Sequence, residues 1–194
     1  GNYGAVPLWP WPSYGQREIY ANTKMADVRK GGKWSNYAVA YVEKLMRERK
    51  VDGVFLDTLG ARPWGLSEWN TWSLAEKNAW TDGVVDFVRR VDAKRRAINP
   101  NFIIVNNNLW TRSDGSTRGL VARKYVDGIT VEHPTPGVKL FHRIQVDDAF
   151  SNLGHRRVFV IARSASEARA WAGVKGVPNP PQGRFAAVSD SKGP

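Results

Sequence analysis

Two short segments of the chain share the pattern Val-Asp-Gly, an aliphatic run, and an acid four residues after the glycine. The first covers residues 51–57 and ends on Asp57, and the second covers residues 126–132 and ends on Glu132. The Asp-Gly pair favours a tight turn, and the β-branched and aromatic residues after it favour a short strand. An acid at the end of a buried apolar strand is costly to place without a use. Two such acids in one sheet predict paired carboxylate chemistry.

Paired carboxylates suit the hydrolysis of a glycosidic bond. That reaction needs a proton on the leaving oxygen and an anion or an activated water at the anomeric carbon. A separation of about 5 Å between the two carboxyl groups goes with retention of configuration, and about 6.5–9.5 Å goes with inversion. The sequence leaves this distance open. The competing interpretation is that each acid only caps a helix or pairs with a basic residue.

Five further side chains at or just beyond strand ends are predicted to bind substrate: Trp64, Asn106, Asn108, Trp110 and Arg163. An asparagine amide hydrogen-bonds sugar hydroxyls, and an indole ring stacks on a sugar face. Arg163 would bind an anionic sugar group or pair with Glu132. In the competing interpretation, the asparagines at 107 and 108 turn the chain and the tryptophans cover the core.

Metal and cofactor chemistry is not predicted. Cysteine is absent, which excludes disulfides, thiol catalysis and thiolate ligands. The three histidines, His133, His142 and His155, are scattered without ligand spacing. Asp52 and Asp127 precede the glycines at the opposite strand ends, so we interpret them as turn formers.

Strand and helix patterns alternate along the chain. Short apolar runs predict strands at residues 17–22, 53–57, 102–106, 128–132, 158–162 and 185–188. Helical periodicity and end signals predict helices at 35–50 with Ser35 as the N-cap, 73–98, 118–125, 138–153 and 165–174. The inner stripe of the second helix is predicted to contain Trp80, Val84, Phe87, Val88 and Val91.

This alternation predicts an α/β fold, and specifically a (β/α)8 TIM-barrel-like fold. Right-handed crossovers put the strand C-terminal ends on one side, where barrels carry out catalysis. About six strands are recognisable against the eight of a full barrel, so the barrel is trimmed, incomplete, or completed by another domain or chain. A doubly wound open sheet is the alternative, although no Gly-rich phosphate loop follows any strand.

The chain of 194 residues fits one domain. Pro7, Pro10 and Pro12 stand among aromatic residues and predict an extended arm over 1–16, which leaves 17–194 as a single barrel-like catalytic domain. A membrane span is not predicted, because we find no apolar run of about 18 residues. No leader pattern is visible either.

The net charge of +11, from 29 basic and 18 acidic residues, favours a polyanionic partner. An anionic glycan, an anionic envelope and nucleic acid all meet that description, and the plain alternative is a solvated basic surface. We interpret one basic run on a helix as such a solvated face: Arg89, Arg90, Lys94, Arg95 and Arg96. The nine tryptophans suit sugar stacking as well as a core.

Residues 51–58, VDGVFLDT, resemble the Asp-Gly-Val-aromatic-Leu-Asp strand of the glycoside-hydrolase barrels related to family 114 and their hypothetical glycosyl hydrolase neighbours. The asparagines at 106–108 and Glu132 extend the resemblance over about residues 34–165. The resemblance implies a retaining hydrolase acting on an α-linked polysaccharide, with Asp57 as nucleophile and Glu132 as proton donor; the reverse assignment stays open. The cationic, galactosamine-rich substrate of that family does not suit a protein of charge +11, so the sugar is not carried over.

Three functions compete on these grounds. The predicted one is a glycoside hydrolase that cleaves an envelope or extracellular polysaccharide and is extracellular or virion-associated. The second is a catalytically inactive barrel that binds glycan or forms a structural module of a larger assembly such as a phage tail. The third is a nucleic-acid binder, which charge alone suggests and no recognised motif supports.

Overall fold

The computed structural model describes residues 26–57, 59–60, 63, 67–107, 117–132, 157–162, 164, 166 and 185–189. The predicted arm over 1–16, the strand near 17–22, the helix over 138–153 and most of the helix over 165–174 lie outside the described residues. The chain divides into two compact units. One is made of Gly1–Asp52 and Arg62–Phe102, and the other of Gly53–Ala61 and Ile103–Pro194.

The second unit contains a parallel sheet, so the predicted α/β class is confirmed. Its strands are β1 (Gly53–Leu56), β2 (Ile103–Asn107), β3 (Gly128–Glu132), β4 (Arg157–Ala162) and β5 (Phe185–Ser189). They lie side by side in chain order, and every neighbouring pair is parallel. The predicted strand bounds agree with these to within one residue. A 3₁₀ helix, η2 (Thr117–Tyr125), precedes β3 where a short helix was predicted.

The register divides β1, β2 and β3 into two faces. Leu56 pairs with Asn106, and Asn107 pairs with Thr130. Because successive strand residues point to opposite sides, one face contains positions 53, 55, 57, 103, 105, 107, 128, 130 and 132. We call this the Asp57 face. The opposite face contains the buried residues Leu56, Ile104, Asn106 and Ile129.

The two Val-Asp-Gly turns set up the strands on either side of β2. A Cβ at Gly53 would lie 2.3 Å from the carbonyl oxygen of Ile103, so only glycine fits this close approach of β1 to β2. Asp127 makes two hydrogen bonds to β2. Its side chain accepts from the Ile104 N–H at 2.8 Å, and its own N–H donates to the Ile104 carbonyl at 2.8 Å. Asp127 therefore has the structural role that its place in the turn predicts.

The first unit contains helix α1 (Lys33–Glu48), whose N-cap lies three residues before the predicted N-cap. Its N-cap is Gly32, which offers no side-chain cap, so the assignment of Ser35 as N-cap is wrong. Ser35 is instead buried inside the first turn, where its hydroxyl accepts a hydrogen bond from Arg90 Nη1 at 3.1 Å. The Ser35 hydroxyl therefore bonds a residue of another helix instead of capping α1. The helix ends at Arg49, which adopts the left-handed conformation at φ 50°.

The longer helix of this unit is α2 (Leu74–Ile98), close to the predicted range. Ser73 caps it through a reciprocal capping box with Glu76. Its predicted inner stripe is confirmed, because all five residues from Trp80 to Val91 in that stripe are buried. Phe87 contacts Trp34 of α1 with ring centroids 5.2 Å apart. Before α2 comes the 3₁₀ helix η1 (Ser67–Thr71), where Trp69 is buried against Trp72.

The basic run on α2 is extensively paired with acids. Arg89 and Arg90 approach Asp86, Arg95 and Arg96 contact Asp92, and Lys94 contacts Glu43 of α1 at 2.6 Å. Asp86 and Asp92 are themselves buried. The interpretation of this run as a simply solvated face is therefore incomplete. Three acids partly neutralise these five basic residues, which weakens the attraction of this surface for a polyanion.

Candidate functional site

Asp57 directly follows β1, at the carboxyl edge of the sheet, and its side chain is exposed. Its Oδ1 accepts a hydrogen bond from Asn107 Nδ2 at 2.7 Å. Asn107 is the last residue of β2 and is buried. An accessible carboxylate is thus held by a buried donor on the neighbouring strand.

Asn106 supports the same loop from the opposite face of β2. Its side chain is fully buried, and Nδ2 donates to the carbonyl oxygens of Leu59 at 3.1 Å and Asn107 at 2.8 Å. Leu59 lies two residues after Asp57. The two consecutive amides therefore hold the chain after β1 at residues 57 and 59, and we call Asn106 and Asn107 the amide clamp.

The orientation of both amides follows from their partners. A carboxylate and a backbone carbonyl only accept hydrogen bonds, so the NH₂ group of each asparagine must face them. Oδ1 of Asn106 and Oδ1 of Asn107 consequently face away. Both oxygens are buried, and neither has a hydrogen-bond donor within the described part of the chain. A buried acceptor without a donor costs about 1–3 kcal/mol.

Glu132 is the last residue of β3 and pairs in register with Ile161 of β4. On the same strand, Thr130 pairs with Asn107 and is buried. Strand alternation assigns position 132 to the same face as position 130, which is the Asp57 face. The two predicted catalytic positions therefore belong to one face of one sheet, at its carboxyl edge.

Asn107 is the site residue that reasoning from the sequence missed. Aligning Gly53 with the predicted strand start at 102 puts position 57 level with position 106, whereas the observed pairing of Gly53 with Ile103 puts it level with position 107. Asn106, predicted to bind substrate, lies on the face opposite Asp57 and is fully buried, which suits support of the loop better than contact with a sugar. The other predicted substrate-binding residues lie outside the described residues: Trp64, Asn108, Trp110 and Arg163.

The described residues contain no group of three or more His, Asp or Glu side chains that could hold a metal ion. Among the helices described, none is long and apolar enough to cross a membrane. Exposed apolar side chains do occur on the Asp57 face, where Phe55 is 53% exposed and Ile103 is 44% exposed.

No protein-family model matches this chain, and no curated protein matches it. The resemblance to the family 114 barrels therefore rests on the sequence alone, that is, on the motif at residues 51–58, the asparagines at 106–108 and Glu132, and it stays a prediction.

Proposed function

We propose that this protein is a glycoside hydrolase that cleaves an α-linked envelope or extracellular polysaccharide, with Asp57 as nucleophile and Glu132 as proton donor. The observation that carries the proposal is the exposed Asp57 carboxylate, held at 2.7 Å by Asn107 at the carboxyl edge of a parallel sheet. In parallel α/β folds, substrates bind at that edge. A solvent-exposed acid with a dedicated buried donor is suited to chemistry on a bound ligand.

The scaffold that we propose is a TIM-barrel-like sheet. Five parallel strands lie in chain order without a reversal among the described strands. Consecutive order is the rule in a (β/α)8 barrel, whereas a doubly wound sheet reverses its order at a switch point. A barrel of eight strands needs further strands beyond these five, which other parts of the chain, another domain or another chain would supply.

The backbone spacing of the two acids is compatible with catalysis. Positions 57 and 132 are two strands apart and two residues apart along the strand direction, which corresponds to roughly 11–12 Å between Cα atoms in a regular sheet. An aspartate and a glutamate at such positions can bring their carboxyl groups into the range of about 5–9.5 Å that glycosidases use.

In the proposed retaining reaction, Glu132 gives its proton to the glycosidic oxygen as the bond to the anomeric carbon breaks. A carboxylate oxygen of Asp57 bonds to that carbon and forms a glycosyl ester. Glu132, now ionised, takes a proton from water, whose oxygen attacks the anomeric carbon and releases Asp57. The Asn107 N–H orients the Asp57 carboxylate throughout without bonding to the sugar.

The test is reducing-end release from a panel of bacterial envelope and extracellular polysaccharides by wild type, Asp57→Asn, Glu132→Gln and Asp52→Asn. Asp52 is the matched control, because it is an exposed acid of the same motif that precedes β1 instead of following it. We expect losses of at least about 1000-fold for the first two variants and wild-type rates for the control. A rate near wild type in Asp57→Asn or Glu132→Gln would refute the assignment, and the anomer first released reports retention or inversion.

The second candidate, a structural or glycan-binding module of a larger assembly such as a phage tail, is favoured by the exposure of Phe55 and Ile103. Both belong to the Asp57 face, which would point inward in a closed barrel. Apolar side chains left open on such a face are suited to burial by another chain or domain. This candidate predicts retained glycan binding with no reducing ends released.

A further inference from the structure

We propose that Asn107 is a positioning residue for Asp57, and that Asn106 secures the loop in which Asp57 lies. This inference rests on the proposed function, because a nucleophile must be held at a defined place to attack the anomeric carbon. It adds to that function a pair of residues, the amide clamp, neither of which contacts substrate.

The geometry of the amide clamp supports the assignment. Asn107 lies in a strand between β1 and β3, is 1% exposed, and directs its only described side-chain donor contact at Asp57. Asn106 reaches Leu59 on the other side of β2 and also bonds the carbonyl of Asn107. The loop is therefore fixed at two points two residues apart, and one of those points is the carboxylate itself.

The energetics of the amide clamp indicate a role beyond folding. Each asparagine keeps a buried Oδ1 for which the described residues supply no donor. An oxygen left without a donor would destabilise the folded state, and an apolar side chain at the same position would remove that cost. Asn107 accepts this loss of stability while its donor is directed at an exposed acid. Functional sites commonly lower the stability of the fold in this way, because their groups must be held in a defined geometry.

The primary test compares wild type with Asn107→Leu on the polysaccharide that the wild type cleaves. Leucine has the same branching and number of side-chain heavy atoms as asparagine, and it removes both the donor and the unsatisfied oxygen. We expect kcat to fall about 100-fold with KM within about threefold, because a displaced nucleophile affects the chemical step. We also expect the urea midpoint to be unchanged or higher. A purely structural role would instead lower the midpoint and leave kcat per folded molecule unchanged, which would overturn the inference.

Asn107→Asp provides a second variant with a readout that a structural role would not produce. An ionised carboxyl at 107 repels the Asp57 carboxylate, whereas a protonated one donates to it through its O–H. The activity of this variant, relative to wild type, should therefore rise at least tenfold as the pH is lowered from 7 to 5. The relative activity of Asn107→Leu should stay flat over the same range. Parallel profiles for the two variants would overturn the inference.

The outcomes separate this inference from the proposed function. A wild-type protein that cleaves no polysaccharide refutes both. An active wild type with an equally active Asn107→Leu variant refutes only the positioning role. A reaction-independent check is hydrogen exchange of the Asn107 carboxamide protons by NMR, which should be at least tenfold faster in Asp57→Ala than in wild type. Equal exchange rates would contradict the bond on which the inference depends.

Discussion

Asp57 and Asn107 lie level with each other at the carboxyl ends of two adjacent parallel strands, and a 2.7 Å hydrogen bond joins their side chains. The donor is buried and the acceptor is exposed, so a side chain fixed in the interior restrains one that solvent can reach. Fifty residues of chain separate them. Their meeting depends on the register of β1 against β2, which begins with the close approach of Gly53 to Ile103.

We expect Asp57 and Asn107 to be energetically coupled. A double-mutant cycle of Asp57→Ala and Asn107→Ala should give an interaction free energy of about 1 kcal/mol, because one partner is charged but exposed. Urea unfolding of the two single variants and the double variant measures this. Asp57→Ala combined with Asn36→Ala, at an exposed position of α1, is the control and should be additive. Additivity in both cycles would argue against the bond.

Gly83→Ala should destabilise the protein although alanine is the better helix former. A Cβ at Gly83, inside α2, would lie 1.9 Å from the carbonyl oxygen of Val28, and backbone cannot move aside as a side chain can. The clash should outweigh the gain in helix propensity of about 1 kcal/mol and leave a net loss of about 2 kcal/mol. Ala93→Gly, at an exposed position of α2, should also destabilise, by about 1 kcal/mol. A more stable Gly83→Ala variant would refute the close packing.

Arg49→Gly should stabilise the protein by about 1 kcal/mol. Arg49 ends α1 in the left-handed conformation, which a side chain disfavours and glycine adopts freely. The N–H that bonds the Leu45 carbonyl at 3.2 Å is kept in the variant. Arg49→Ala is the matched control, since it keeps the Cβ and should bring no such gain. Thermal or urea unfolding of both variants measures the difference, and equal stabilities would contradict the strain.

Asp27 should contribute to the pH dependence of stability. Burial alone would raise its pKa, but hydrogen bonds from the Arg29 side chain and backbone outweigh burial and lower the pKa overall. Because the folded-state pKa lies below the unfolded value of about 3.9, this contribution is present above about pH 4 and is lost as the pH falls through the folded-state pKa. The stability difference between wild type and Asp27→Asn should therefore shrink as the pH is lowered from 6 to 3. Arg29→Met should remove much of the same dependence, and parallel stability curves for wild type and Asp27→Asn would refute this reading.

Local patterns in the sequence were sufficient for most of the secondary structure. The β-branched runs after Gly53 and Gly128 predict β1 and β3, and the stripe from Trp80 to Val91 predicts α2 with its buried side. These features depend on residues that are close together in the chain. The Ser73–Glu76 capping box was open to the same reasoning, because its two members are three residues apart. The acids at the ends of β1 and β3 were also recognisable from the sequence. Their catalytic role stays a prediction.

What the sequence determined by itself was the α/β class, the approximate positions of the described strands and helices and the pair of strand-end acids, because each follows from local propensity and spacing. Tertiary structure decided that the Ser35 hydroxyl accepts a hydrogen bond from Arg90 instead of capping α1. It also decided that Asn107 donates to Asp57, whereas Asn106 donates to the Leu59 carbonyl. These contacts join residues about fifty positions apart, so they depend on helix packing and on strand register. No local signal specifies either one, because both result from burying whole faces of the elements at once.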